Sequence, residues 1–378
     1  MVREAFELSP ASVVEGKDGY DHFMLKEIHE QPEALRRTLN GYIKDGLVDL
    51  SDLEINELFD GIKKIYIVGC GTAYHAGLVG RRAIEKLAKI PVEIDIASEF
   101  CYRDIPWGTD ELMIIISQSG ETADTLAAMR EAKKFGTRVL AVTNVVDSTI
   151  AREADKVIYT QAGPEVSIAS TKAYTCQLAI MYLLAFNLAH QRGTWDEQEL
   201  RQMGNDLVNM DLNIETALGQ EPRIKKIAQR YYQVENTFFL GRGFDAAVAM
   251  EGALKLKETS YIHAEAYPTG ELKHGPIALI TEGVPVLTAI TQESLVERSI
   301  SNLKEIKARG GVIIAVCTEN LKEECQVCDE IIPIPAVNPI LTPIVTVVPL
   351  QLFAYYMAVT RGNNVDQPRN LTKAVTVE

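Results

Sequence analysis

Little in this sequence would send the chain to a membrane, to nucleic acid or to an oxidising compartment. Its first residues, MVREAFELSP, lack the basic-then-apolar order of a secretory leader. No membrane-crossing helix is expected. The most apolar segment, residues 331–359, carries Pro333, Pro335, Pro339, Pro343 and Pro349, which are expected to break it. There is no long basic run, and 52 acidic against 38 basic residues leave a formal charge of −14. Such a chain repels nucleic acid and anionic membranes, so neither is expected as a partner, and a cytoplasmic location is. Six cysteines, Cys70, Cys101, Cys176, Cys317, Cys325 and Cys328, follow no disulfide-scaffold spacing and read as reduced thiols. Cys325-Gln-Val-Cys328 has metal or redox spacing, but with no second such pair and no nearby His it reads as structural. Cys70 borders a glycine-rich turn without a His or Asp placed to activate it, and reads as a small buried residue. A dinucleotide fingerprint is missing as well, since Gly69-Cys70-Gly71 would need a glycine where Tyr74 stands. His263, Glu265 and His274 are conceivable zinc ligands whose spacing fits no closed metal motif. No cofactor and no metal are expected.

What remains is an ordinary globular composition, 47% hydrophobic and 24% charged over 378 residues, enough for about two domains. Residues 1–20 mix Pro, Gly and polar residues as a linker does. Residues 21–60 form an N-terminal helical segment, with a helix over His22–Leu39 that Gln31-Pro32 interrupts. From Lys63 short apolar runs alternate with helical stretches near 73–88, 122–135 and 148–153. The runs are Ile65–Val68, Val92–Ile96, Leu112–Ile116, Val139–Val142 and Val157–Tyr159, a pattern that predicts a parallel sheet with helices on both faces. Residues 171–218 are helical without a strand, and then the alternation resumes at Thr237–Leu240, Val284–Ile290, Val312–Val316 and Glu330–Ile334. Ile65-Tyr-Ile-Val-Gly-Cys-Gly71 aligns with Thr237-Phe-Phe-Leu-Gly-Arg-Gly243, so the chain reads as a duplicated α/β unit, residues 61–215 and 216–362, followed by a tail, 363–378.

Ligands of open α/β sheets bind at the carboxyl ends of strands. Ile114-Ile-Ile116 runs into Ser117-Gln118-Ser119-Gly120-Glu121-Thr122 ahead of an amphipathic helix, with Ser119 a candidate N-cap. Hydroxyls and a glycine at a helix start suit an anion held by backbone N–H groups. They suit a merely capped helix as well, and composition favours neither. In the rear half Glu251, Lys255 and Glu258 share a helix face; taken alone, such a stripe is more often solvated. Residues 262–276 then read as a loop crowded with two His, two Glu and a Lys. The tail carries a lone Lys373, on a strap that packs on the core or brings the lysine to a site.

These residues together resemble the isomerase portion of the glucosamine-6-phosphate synthases, the isomerising glutamine–fructose-6-phosphate amidotransferases. The carriers are Cys-Gly-Thr at 70–72, Ser-Gln-Ser-Gly-Glu-Thr at 117–122 and Ala-Ser-Thr-Lys at 169–172. With them go Glu-Gly-Ala-Leu-Lys-Leu-Lys-Glu at 251–258, Gly-Glu-Leu-Lys-His-Gly-Pro at 270–276 and Asp-Gln-Pro-Arg-Asn-Leu at 366–371. The resemblance implies two tandem sugar isomerase (SIS) domains and no cofactor. It implies that Thr72, Ser117, Gln118, Ser119 and Thr122 hold the phosphate of fructose 6-phosphate, with Gly71, Ala73, Ile168, Ser170 and Thr372 lining the substrate. Glu258 would move a proton between C1 and C2, Lys373 would form a Schiff base at C2, and Lys255 would line the site. His274 would open the ring from a neighbouring subunit, which requires at least a homodimer. Glucose 6-phosphate and glucosamine 6-phosphate would be the other ligands. Ala73 departs from the serine frequent in the family, which removes one hydroxyl from the phosphate. No cysteine precedes Cys70, so the chain is expected to be a C-terminal piece lacking the glutaminase domain that supplies ammonia. A stand-alone fructosamine-phosphate deglycase and a non-catalytic sugar-phosphate sensor are the alternative readings.

Overall fold

The computed structural model describes residues 16–376; most of the expected linker, residues 1–15, and the final Val377-Glu378 lie outside the described residues. Two five-stranded sheets organise the rest. In the first, the spatial order is Val92–Ile96, Lys64–Gly69, Glu111–Ser117, Arg138–Thr143, Lys156–Tyr159, every pair parallel. The second runs His263–Pro268, Asn236–Gly241, Pro285–Ile290, Val312–Thr318, Glu330–Ile334, again wholly parallel. Numbered by appearance, both have the order 2-1-3-4-5. The duplication suggested by the two Gly-x-Gly turns therefore extends through the whole topology.

The central strands are apolar on both faces because helices cover both faces. Ile114, Ile115 and Ile116 are all fully buried in consecutive positions. Each half contributes one helix that is apolar all round, Lys172–Arg192 and Thr342–Thr360, and both are buried. Helix Phe244–Ser260 packs on both Thr342–Thr360 and Thr72–Leu87, and one apolar core runs through the two halves.

Two expectations need correction. The segment 331–359 is interrupted at Pro335 and Pro339, between strand Glu330–Ile334 and helix Thr342–Thr360, but not at the later prolines: Pro343 sits in the first turn of that helix and Pro349 lies inside it. Pro343 costs no bond there, because first-turn N–H groups have no helical partner. By length and composition this helix could cross a membrane, and 94% of its apolar window is buried within the protein. Residues 263–268, read as a loop, are an edge strand in register with Asn236–Gly241. Its alternation of His, Glu and Tyr with Ala, ending in Pro268, reflects a half-solvated edge. The expected interruption at Gln31-Pro32 is present, with helices Phe23–His29 and Gln31–Leu39 meeting at Glu30.

Candidate active site

Strand Glu111–Ser117 delivers Ser117 to the start of helix Ala123–Lys134 through a tight loop. The Ser117 Oγ accepts the Gly120 N–H at 3.1 Å and lies 3.1 Å from the Thr122 Oγ1. Thr122, not Ser119, occupies the N-cap position, and Ser119 Oγ accepts the Glu121 N–H at 3.2 Å instead. Gly120 has φ +65°, and a Cβ there would lie 2.0 Å from the Ser148 Oγ, so the turn has room for glycine alone. The one acid in the loop is turned away, since Glu121 accepts the Thr149 N–H at 2.6 Å. What faces the opening is thus hydroxyls, amides and the positive end of a helix.

That opening is a cavity of about 230 Å³. Gly71, Thr72, Ala73, Ser117, Gln118, Ser119 and Thr122 line it from the front half, joined by Ile168 and Ser170. Lys255 and Glu258 line it from the rear-half helix, and Thr372 and Lys373 from the tail. Cys70 also borders it; burial pushes its thiol above the ordinary range, away from a nucleophilic role. The Ala73 N–H is taken by the Cys70 carbonyl at 3.1 Å, so it does not replace the missing serine hydroxyl.

The charged face of helix Phe244–Ser260 is not a solvated stripe: Glu251 and Lys255 are both 0% exposed. Glu251 accepts from the Thr72 hydroxyl at 3.0 Å, contacts His75 Nδ1 at 2.7 Å and lies 3.4 Å from the Lys255 ammonium. Lys255 in turn donates to Thr72 Oγ1 at 3.1 Å. Burial opposes its charge, but Glu251 and Glu258 outweigh burial and hold the ammonium well above its ordinary range. Glu258 lines the cavity, and its Oε2 pairs with Lys255 Nζ at 2.7 Å. Helix Phe244–Ser260 has neighbours on opposite sides, and that is why a periodicity argument alone misjudges its face.

The tail is strapped down along its length. Asp366 accepts the Phe23 and Met24 N–H groups with its carboxylate, at 3.0 and 2.9 Å, and the Ile168 N–H with its carbonyl at 3.0 Å. Arg369 stacks over the Tyr261 ring, and the Val375 carbonyl accepts the Ala123 N–H at 3.1 Å. Between these ties Lys373 donates to Glu165 Oε2 at 2.6 Å and to the Ser167 carbonyl at 2.7 Å. Glu165 is fully enclosed and also accepts from the Ser170 hydroxyl and the Thr171 and Ala173 N–H groups. Burial would raise its pKa, yet Lys373 and these donors lower it to about 2.

Of the residues to which the resemblance gives a role, His274 alone lies apart. It ends the short turn Glu271–His274, exposed, and does not line this cavity. Sequence reading missed Glu165 and underrated Glu251. A lone Glu ahead of Ala-Ser-Thr-Lys carries no local signal, because its partner is 208 positions away.

Each of the two parallel α/β units falls within a match to the SIS domain, residues 58–186 and 230–361. The chain belongs to that family. Within it, the chain is 53% identical over 378 residues to the isomerising glutamine–fructose-6-phosphate aminotransferase of Clostridium tetani, covering all of this chain and 62% of that protein. The Thermus thermophilus enzyme of the same name is 47% identical over 379 aligned positions, with the same coverage. Among solved structures, the C-terminal domain of glucosamine-fructose-6-phosphate aminotransferase from Francisella tularensis superposes with a TM-score of 0.91 at 41% identity, over 93% of this chain and all of that one. The chain thus spans somewhat under two thirds of the length of these curated relatives.

Proposed function

We propose that this chain is the sugar-phosphate isomerase part of a glucosamine-6-phosphate synthase, acting in the cytoplasm on fructose 6-phosphate. One observation carries the reading: a hydroxyl-and-amide anion cradle, a carboxylate paired with a buried lysine, and a second lysine share one cavity. The phosphate sits against Ser117, Gln118, Ser119, Thr122 and Thr72, held by neutral donors and the helix start. The C2 carbonyl of the opened sugar then faces Lys373, whose deprotonated amine adds to it and expels the carbonyl oxygen as water to form the imine. Glu258 carries the proton between C1 and C2, and Lys255 stabilises negative charge as it develops on the sugar oxygens. Ammonia comes from a glutaminase half, which accounts for the extra length of the relatives. His274 is supplied by a second copy of the chain and opens the ring, so a homodimer is the working unit.

A sensor needs the cradle and gains nothing from burying Glu251 and Lys255 beside it, at a real desolvation cost. Borohydride reduction in the presence of fructose 6-phosphate is expected to label Lys373. In Glu258→Gln, fructose 6-phosphate still binds but interconversion with glucose 6-phosphate is lost. Label on another lysine, or unchanged turnover in that variant, would remove the assignment.

A further inference from the structure

The imine-forming lysine is held by a loop, and the loop is held by a residue far from the cavity. Lys373 rests on Glu165 and on the Ser167 carbonyl. The stretch between those two acceptors is pinned from behind by Glu27, of helix Phe23–His29, whose Oε1 accepts the N–H groups of Val166 and Ser167. Glu27 is 2% exposed and its other oxygen, Oε2, has no hydrogen-bond partner among the described residues. A buried carboxylate oxygen left without a partner is costly, and an acid tolerates it best when it carries a proton there. The same helix has its N-terminus capped by Asp366, from the tail that bears Lys373. One short helix therefore grips both the lysine's strap and the lysine's seat.

We propose that Glu27 is a positioning residue for Lys373: it fixes Glu165 and Ser167 where they receive the amine, and its protonation sets how strongly that seat favours the ammonium. The inference rests on Lys373 being the imine-forming residue. The charged groups acting on Glu27 are Glu165 from the loop and Lys373 from the tail. Of the neighbours, Lys172 is engaged by Glu30, and Asp366 by the Phe23 and Met24 amides. Burial first, and Glu165 second, raise the Glu27 carboxyl to about 8, against the opposing pull of Lys373. Below that pH the seat carries one negative charge, on Glu165; above it, two, and the second charge strengthens the hold on the ammonium.

The test compares Glu27→Gln and Glu27→Ala in the full chain by rate of borohydride trapping against pH, fructose 6-phosphate affinity, and unfolding midpoint. Gln keeps an acceptor for the two amides and never ionises. It is expected to trap at close to the parent rate at pH 7, and to exceed the parent several-fold at pH 9. Ala loses the clamp and is expected to trap at least 10-fold more slowly at pH 7, with fructose 6-phosphate affinity within about 3-fold. Both variants following the parent profile across pH 6–9 would overturn the inference. So would a Gln variant as slow as Ala, or loss of sugar binding in step with trapping in a folded variant. Trapping of the parent chain at a lysine other than Lys373 would instead overturn the underlying reading, before Glu27 is changed.

Discussion

The buried charges near the cavity are held by mutual pairing, and each pairing predicts a cost. Glu251→Ala removes the partner of Thr72, His75 and Lys255 at once. Leaving that ammonium buried beside Glu258 alone is expected to cost about 3–5 kcal/mol, read by urea unfolding. Asp245 behaves differently. Fully buried at the start of helix Phe244–Ser260, it accepts from the Thr291 N–H and hydroxyl, yet burial dominates and lifts it from 3.8 to about 6. An acid whose folded pKa is raised stabilises most below its unfolded value and loses that contribution as pH rises through the folded value. From pH 4 to 7 the parent chain should therefore lose roughly 2–3 kcal/mol more stability than Asp245→Asn, at about 1.4 kcal/mol for each tenfold change in the acid's ionisation constant. Equal pH slopes for the two would contradict the assignment. At this scale the sequence was partly legible. Ser117 and Thr122 stand in a local pattern that suits an anion as well as a cap, and the stripe of Lys255 and Glu258 reads as solvated when taken alone, whereas Glu27 and Glu165 make their contacts across 139 and 208 positions, which no local pattern encodes.

The two Gly-x-Gly turns are copies that have diverged at the element scale. In the front half the helix after the turn begins Thr72-Ala73 and opens onto the cavity. In the rear half it begins Phe244-Asp245, and the Asp245 carboxylate accepts from Thr291, just past strand Pro285–Ile290, where the strand registers set Ile290 in the place of Ser117 and Thr291 in that of Gln118. The rear cradle is filled by the chain's own anion. Calorimetric titration with fructose 6-phosphate should therefore give one site per chain, and two would contradict this reading. The replacement of Thr by Phe at the aligned position was visible in the sequence; that a carboxylate fills the gap was not, because it depends on the partner loop at 291. Gly120 is the element-scale constraint on the working cradle. Gly120→Ala strains a left-handed residue and drives its Cβ into Ser148, and is expected to lower fructose 6-phosphate affinity at least 10-fold. Helix Thr342–Thr360 illustrates the opposite error. Its prolines looked like breaks because propensity arguments ignore how much burial an apolar helix gains when neighbours enclose it.

As a whole molecule, the chain is two copies of one topology sharing an apolar core through helix Phe244–Ser260. Strand alternation and the repeated turn made that topology legible, since buried parallel strands advertise themselves as apolar runs. The edge strand His263–Pro268 escaped because half its side chains face solvent. A shared core predicts that the halves unfold together. Trp107 packs on a cluster of the front half alone and Trp195 on the core that the halves share, so emission is weighted to the front half and far-ultraviolet circular dichroism reports on both. The two transitions in urea should coincide, and separated midpoints would mean that the halves melt independently.

The tie between the Val375 carbonyl and the Ala123 amide has a thermodynamic corollary. A helix start has only a few unspent donors, and here one of them is given to the chain's own strap instead of to a dissolved ion. Whatever anion competes for that donor must weaken the strap by as much as the strap weakens the anion. Millimolar inorganic phosphate is accordingly expected to speed proteolytic clipping beyond Leu371, while sulfate-free, phosphate-free buffer keeps the end of the chain shut.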